Sequence, residues 1–539
     1  MKGFEEDGVW FLPDAQDREI FGRLTFSPDK PPKLYLFGQL QDILERLQEI
    51  DVEGKIQTDI KFPIIHGYLV TGEQVTLCES FQPFNFKTGI PTSEIYPSYI
   101  LRGHHFKSFD DITLHGISVK YTFLEDWVDI SNFKIEYKMN PDNTQVQELK
   151  VKQEILEPIE LGKLSNFSIF IRGQQPNVQN IELIKFFGKK FKEVNLKINN
   201  SIVIRSDEKR SLKDFIYVIN LIQDLLIFAS GQMIYPYEIR TSIITIEKEK
   251  IIPEDIRMSI ILGLIQPEKV AKSSLGFELH QFGDEIKAIE EEKEKLIPID
   301  IYYQVSESKI EENELDRRKV LFYFDDIKDM SSEILEYWEL NRVKIEPILD
   351  LYLRLTYIPR RHINDFFLSM AQAIEAFHRT SHDGIYIDEK TYKNVVIPAL
   401  SDSIPSKLSD YSLPEFPIFQ EMIANFIKSM KKKLTYLNEY SLKERLEDLI
   451  NVYQECIPDR FFQTEDEKNS FSKQVRDTRG SLTHLSSNSD NKQSDSRYVV
   501  KGQELFNLSK KLKILLEICL VKQLGFEDSK IKSIFTRKL

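Results

Sequence analysis

Phe366-Phe-Leu-Ser-Met370-Ala-Gln-Ala-Ile374-Glu375-Ala-Phe377-His378-Arg379 places apolar side chains at 366, 370, 374 and 377, the spacing with which one face of an α-helix meets a core. Glu375 and Arg379 stand one turn apart on the flank of that stripe. Working outward, the same period runs through Ile334 to Tyr357. It returns at Leu442, Leu446, Leu449 and Tyr453, and again at Leu505, Leu508, Leu512, Leu515 and Cys519. Several amphipathic helices in one stretch of chain make a bundle. The polar run Ser486 to Ser496 between the last two has almost nothing to bury and reads as a mobile loop.

Upstream the period is two. Lys33 to Gly38 reads as a strand, Tyr68 to Leu77 as a hairpin turning near Thr71-Gly72, and Val194 to Ile204 as another turning at Asn199-Asn200. Leu212 to Phe228 is the clearest helical interruption, with Phe215, Val218, Ile219, Ile222 and Leu226 in phase. The predicted fold is α+β: an antiparallel β-rich half of sandwich or barrel type, residues 1–310, followed by an all-α bundle, residues 311–539. The charged stretch Asp284 to Lys295 precedes the change of period, and the β-rich half has room to split again near 150–210.

The 539 residues are 41% apolar and 29% charged, with a net charge of −13. The molecule as a whole repels nucleic acid and anionic membrane, so any nucleic-acid site must be a local patch. Candidate patches are Lys428, Lys431, Lys432 and Lys433; Lys510, Lys511 and Lys513; and Lys530, Lys532, Arg537 and Lys538. A solvated helix face is the commoner reading of each. Three cysteines, Cys78, Cys456 and Cys519, lie too far apart for a disulfide scaffold or a thiolate-rich zinc knuckle. The acidic first residues do not resemble a secretory signal, and no apolar run reaches the length of a membrane span. A soluble cytoplasmic protein is expected.

Walker, dinucleotide and His-Glu-x-x-His patterns are absent from the sequence. His104, His105 and His115, with Asp110 and Asp111, have the side-chain types of a metal site. Successive strand residues point to opposite faces, however, so these histidines are read as strand or loop residues paired with backbone. No metal and no cofactor is expected. Arg476-Asp477-Thr-Arg479-Gly480-Ser-Leu-Thr-His484 offers more chemistry. Arginine supplies a fixed cation for a phosphate, and histidine gives or takes a proton near neutral pH. Those are the needs of metal-free RNA cleavage, because the ribose 2′-hydroxyl is itself the nucleophile. On a straight helix Arg479 and His484 stand about 140° apart, so the helix must end or distort near Gly480, or the site must draw on two chains. The plain alternative is a cation near a helix carboxyl end. For Glu375 and Arg379 it is an ordinary one-turn ion pair, and His378 and His382 read as surface residues of the helix end.

The helix Ala371 to Arg379, Leu442-Lys-Glu-Arg-Leu446 and Asp477-Thr-Arg479-Gly-Ser-Leu-Thr-His484 together resemble the ApeA-like branch of the HEPN superfamily. Gly22-Arg-Leu-Thr-Phe with Leu36-Phe-Gly38, Ile65-His66-Gly67, Gly72 with Val75 and Leu77, Leu101 with Gly103 and His105-Phe106, and Trp127 resemble the β-rich domain that accompanies it. The resemblance implies an antiphage abortive-infection factor, a metal-independent endoribonuclease that leaves a 2′,3′-cyclic phosphate and a 5′-hydroxyl. Arg479 would hold the scissile phosphate, His484 would be general acid or base, and Glu375 and Arg379 would orient or complete the site. Arg476, Asp477, Lys431 and Lys432 are the expected substrate contacts. Expected partners are RNA, tRNA anticodon loops included, a phage protein as trigger, and further copies of the chain in a homodimer or larger homo-oligomer. The family commonly has Asn after the motif arginine, where this chain has Gly480. Asp477 or Ser481 would have to substitute, or activity would be weak. The alternative is a HEPN-fold sensor or interaction protein without turnover. A DNA-directed effector is disfavoured by the lack of acidic metal motifs.

Overall fold

The structure, a computed structural model, describes residues 3–41, 59–83, 92–130, 133–139, 146–153, 156–173, 200–251, 289–305, 315–357, 362–401, 403, 417–483 and 498–538. Its strands are β1 (Phe4–Leu12), β2 (Ala15–Ser27), β3 (Lys30–Leu36), β4 (Asp59–Leu69), β5 (Gln74–Pro83), β6 (Ser93–Ile95), β7 (Tyr99–Arg102) and β8 (Thr113–Tyr121). They continue as β9 (Phe133–Met139), β10 (Val146–Gln153), β11 (Ile159–Leu164), β12 (Phe167–Gly173), β13 (Asn200–Ser211), β14 (Pro236–Ile251) and β15 (Ile289–Tyr302).

β1 pairs with β2 and β4, β2 with β3, β3 with β6, and β5 with β4 and β7, all antiparallel. Tyr96, just past β6, bridges to Phe81 of β5, so β6, already paired with β3, is tied to β5 as well and the ring of pairings closes. A small barrel results, filled by Trp10, Leu24, Phe26, Leu34, Ile65 and Leu77. Gly67 runs across the Trp10 ring, and a Cβ there would stand 2.3 Å from it. From β7 the sheet continues through β15, β14, β8, β13, β12 and β11, while β9 and β10 form a separate hairpin.

Helix α1 (Leu212–Ser230) opens on a capping box of Ser211 and Asp214 and buries one side on this second part of the sheet. The remaining long helices are α2 (Ser331–Tyr357), α3 (Ile363–Ser381), α4 (Pro417–Leu434), α5 (Leu442–Val452), α6 (Glu465–Thr483), α7 (Gly502–Gln523) and α8 (Asp528–Lys538). α2 joins the halves. Trp338 Nε1 donates to the Leu221 carbonyl at 3.0 Å, Arg342 reaches Asp224 at 2.8 Å, and Phe228 packs edge-on against Tyr352. One apolar core therefore runs from β8 through α1 and α2 into α3 and α7.

The expected antiparallel β-rich half and helical half are both present. The division expected at 310/311 lies outside the described residues, as do Ser486 to Ser496 and Val194 to Asn199 of the second expected hairpin. The charged stretch is a strand from Ile289 onward, with Lys293 opposite Glu247 and Glu292 opposite Lys248 in the backbone register. Near 150–210, β12 and β13 pair directly across the residues between them. Among the described residues no helix is long and apolar enough to cross a membrane.

Candidate functional site

α3 buries Phe367, Met370, Ile374 and Phe377 and turns Glu375, His378, Arg379 and His382 along an adjoining flank. α5 starts on a capping box of Ser441 and Glu444 and presents Leu442, Leu446 and Leu449 to the core, with Arg445 in phase with them. α6 buries Phe471, Ser472, Val475 and Thr478, which leaves Arg479 at the edge of its stripe, facing α3.

These flanks meet in a continuous chain of charges. Arg479 Nη1 donates to Glu375 Oε2 at 2.9 Å, and Arg379 Nη2 donates to the other oxygen, Oε1, at 3.1 Å. Arg379 also pairs with Glu439, which accepts at 3.1 Å from Arg445 Nη2. Arg445, only 2% exposed, donates through Nε to the Tyr440 carbonyl and through Nη1 to His378 Nδ1, each at 2.9 Å. His378 Nε2 faces Asp448 Oδ2 at 2.9 Å. An arginine only donates, so Nδ1 of His378 accepts and Nε2 carries the proton toward Asp448. Burial and the Arg445 cation hold the His378 pKa below its ordinary value despite Asp448. His382 stacks on His378 with ring centres 5.1 Å apart and lies within 3.4 Å of the Tyr453 hydroxyl.

Gly384, at φ +56°, lets the chain fold over this cluster, since a Cβ would come within 2.7 Å of both Arg445 Nη1 and His378. Its carbonyl accepts from Tyr440, and Ile385 bridges to Glu439, which fixes Glu439 above Arg379.

The structure thus brings Glu375, Arg379 and Arg479 together, with the Arg379 side chain 45% and the Arg479 side chain 38% exposed. Helix α6 continues through Gly480 to Thr483, and His484 lies outside the described residues. Arg476 Nε binds its neighbour Asp477 at 2.6 Å, and Asp477 Oδ2 is buried without a partner among the described residues. Lys431 and Lys432 are exposed on the last turns of α4. The other basic patches are largely spent internally: Lys511 on Glu467, Lys513 and Lys538 on Glu517, Lys532 on Asp459, and Arg537 on Asp326. His378 is fully buried, not a surface residue, because its imidazole satisfies Arg445 and Asp448 inside the bundle. In the barrel, His66 and His105 stack at 4.4 Å and bind the Phe106 and Gly67 carbonyls, while His115 is exposed on β8.

Two family models match the chain. One, described as ApeA N-terminal domain 1, matches residues 5–338, and the other, described as Apea-like HEPN, matches residues 368–530. No curated protein and no solved structure matches it.

Proposed function

We propose that this chain, which belongs to the ApeA family and joins an ApeA N-terminal domain 1 to an Apea-like HEPN domain, is an antiphage endoribonuclease. The observation that carries this reading is the Glu375 carboxylate held between the guanidiniums of Arg379 and Arg479, both well exposed. Two cations at one accessible point suit a phosphodiester, and Arg479 is ranked ahead of Arg476, which Asp477 engages.

In the reaction the ribose 2′-oxygen bonds to phosphorus and the bond to the 5′-oxygen breaks, giving a 2′,3′-cyclic phosphate and a 5′-hydroxyl. One proton leaves the 2′-hydroxyl and one reaches the departing oxygen. His484 is assigned to that transfer, with Arg479 and Arg379 stabilising the charge on the pentacoordinate phosphorus. The incoming phosphate displaces Glu375 from the guanidiniums, exchanging one anion for another. No step in this chemistry requires a metal ion. Lys431 and Lys432 would track the strand beyond the cleaved bond. Single-stranded RNA and anticodon loops are the favoured substrates, because their 2′-hydroxyls are free to align. The β-rich half would restrain the bundle until a phage protein releases it, and two copies would complete the cleft.

A second reading, a HEPN-fold interaction protein without turnover, draws on Gly480, which offers no side chain beside Arg479. Incubating purified protein with RNA from infected cells, with and without EDTA, separates the two. Chelator-resistant cleavage that leaves cyclic phosphate ends and disappears in Arg479→Ala and His484→Ala is the expected result. Chelator-sensitive cleavage, or cleavage untouched by both substitutions, would overturn the nuclease reading.

A further inference from the structure

Arg445 is a full cation with almost no contact with water, and it lies one step behind the exposed arginines. Its three donors reach the Tyr440 carbonyl, the His378 ring and the Glu439 carboxylate. Glu439 in turn holds Arg379, which shares Glu375 with Arg479. Burying an arginine is costly unless each partner is in place, and replacing a whole buried ion pair by well-packed apolar side chains is often neutral or stabilising for folding. The cluster therefore invites a purpose beyond stability.

We propose that Glu439, Arg445 and His378 are positioning residues for the RNA-cleaving site, holding Arg379 and, through Glu375, Arg479 at the angle from which they grip the scissile phosphate. The proposal rests on the nuclease reading above and deepens it. Arg379 is a long side chain on a helix flank, and without Glu439 it keeps one anchor, Glu375, which the substrate phosphate displaces. Glu439 is the anchor that persists when RNA is bound. Glu439 follows a turn and is held by one isolated bridge to Ile385, and Arg445 adds support to its side chain from the interior.

His378 makes this support conditional on pH. It accepts from Arg445 only while Nδ1 is unprotonated. The groups facing it are Arg445 and Asp448 on α5, His382 just past the end of its own helix, and the Tyr440 ring. Once protonated, its Nδ1–H confronts the guanidinium, and Arg445 must withdraw from one of its anchors. Asp448 favours the protonated ring, so it sets where that happens.

The test uses full-length protein and a defined single-stranded RNA. Glu439→Gln, half-exposed and nearly isosteric, is expected to lower kcat about tenfold with KM little changed, since it loosens the grip without removing a phosphate ligand. Arg445→Lys should fall similarly, because one ammonium cannot serve three directions. Asp448→Asn should move the acid limb of kcat toward lower pH, a shift that a merely structural role would not produce. An Arg479→Ala control that cleaves like wild type would sink the nuclease reading and this proposal with it. With Arg479→Ala inactive, a full-rate Glu439→Gln or an unmoved acid limb in Asp448→Asn would overturn this proposal alone.

Discussion

Glu375 accepts from Arg479 across the meeting of α3 and α6, Nη1 to Oε2 at 2.9 Å, so the motif arginine points at an anion before any substrate arrives. The carboxylate does two opposing things. It orients two guanidiniums, and it competes with phosphate for them. Glu375→Gln removes the competition and weakens the orientation. RNA should bind more tightly, by a few-fold, while kcat falls about tenfold. Filter binding with an uncleavable 2′-deoxy substrate, set against single-turnover cleavage, reads the two effects separately. Weaker binding together with full kcat would contradict this account.

The elements most legible in sequence are those whose determinants are local. Glu375 and Arg379 are one turn apart, and the hairpin near Gly72 and the long helices follow from period alone. Barrel closure was not legible, because it depends on a bridge between Phe81 and Tyr96 that no periodicity reports. The inner half of the charge chain was missed for a similar reason: Arg445 meets His378 across 67 positions, and Arg379 meets Glu439 across 60. One signal was available. Arg445 lies three residues after Leu442 and four before Leu449, on the apolar stripe of α5, and a cation in phase with leucines marks a buried ion pair. His378 stood equally close to the stripe of α3, but a lone histidine there reads either way.

Glu517 is sealed in α7 between Lys513 and Lys538, and its Oε1 accepts from the Tyr352 hydroxyl at 2.7 Å. Burial alone would push this carboxyl up, but the two ammonium groups outweigh it and hold the pKa at about 2, against an ordinary 4.5. A depressed carboxyl stabilises the fold above the unfolded pKa and loses that contribution as pH falls from 4.5 toward 2. Glu517→Gln should cost about 3 kcal/mol at pH 7, because it leaves two partly buried ammonium groups without their anion. The gap between wild type and variant should close on acidification. Urea denaturation at pH 7, 4 and 3 measures it, and a gap that stays constant or widens would refute the ion-pair assignment.

Gly67 is required by contact. A methyl group there would overlap the Trp10 ring at 2.3 Å, and that ring is buried inside a closed barrel with nowhere to move. Gly67→Ala should destabilise the barrel by about 1–3 kcal/mol or more. Gly116, whose added methyl would stand 3.1 Å from the nearest atom, should tolerate alanine better. Thermal unfolding followed by tryptophan fluorescence compares them, and equal melting temperatures for Gly67→Ala and wild type would contradict the packing described.

Gly480 is the opposite case. It lies inside α6, three residues before the helix ends at Thr483, and among the described residues no atom outside the helix's own backbone stands within 4 Å of where a Cβ would be. Glycine in a helix interior costs about 1 kcal/mol relative to alanine, so Gly480→Ala should stabilise α6 by roughly 0.5–1 kcal/mol. Among the described residues no neighbour requires a glycine here, and its cost falls next to Arg479. Gly480→Asn places a donor and an acceptor at that point. If the nuclease reading is right, cleavage should rise in Gly480→Asn and stay near wild type in Gly480→Ala, which separates the side-chain amide from the gain in helix stability. Parallel increases in both variants would assign the effect to α6 rigidity alone, and a loss of cleavage in both would mean that the bare backbone at 480 is where the RNA makes its approach.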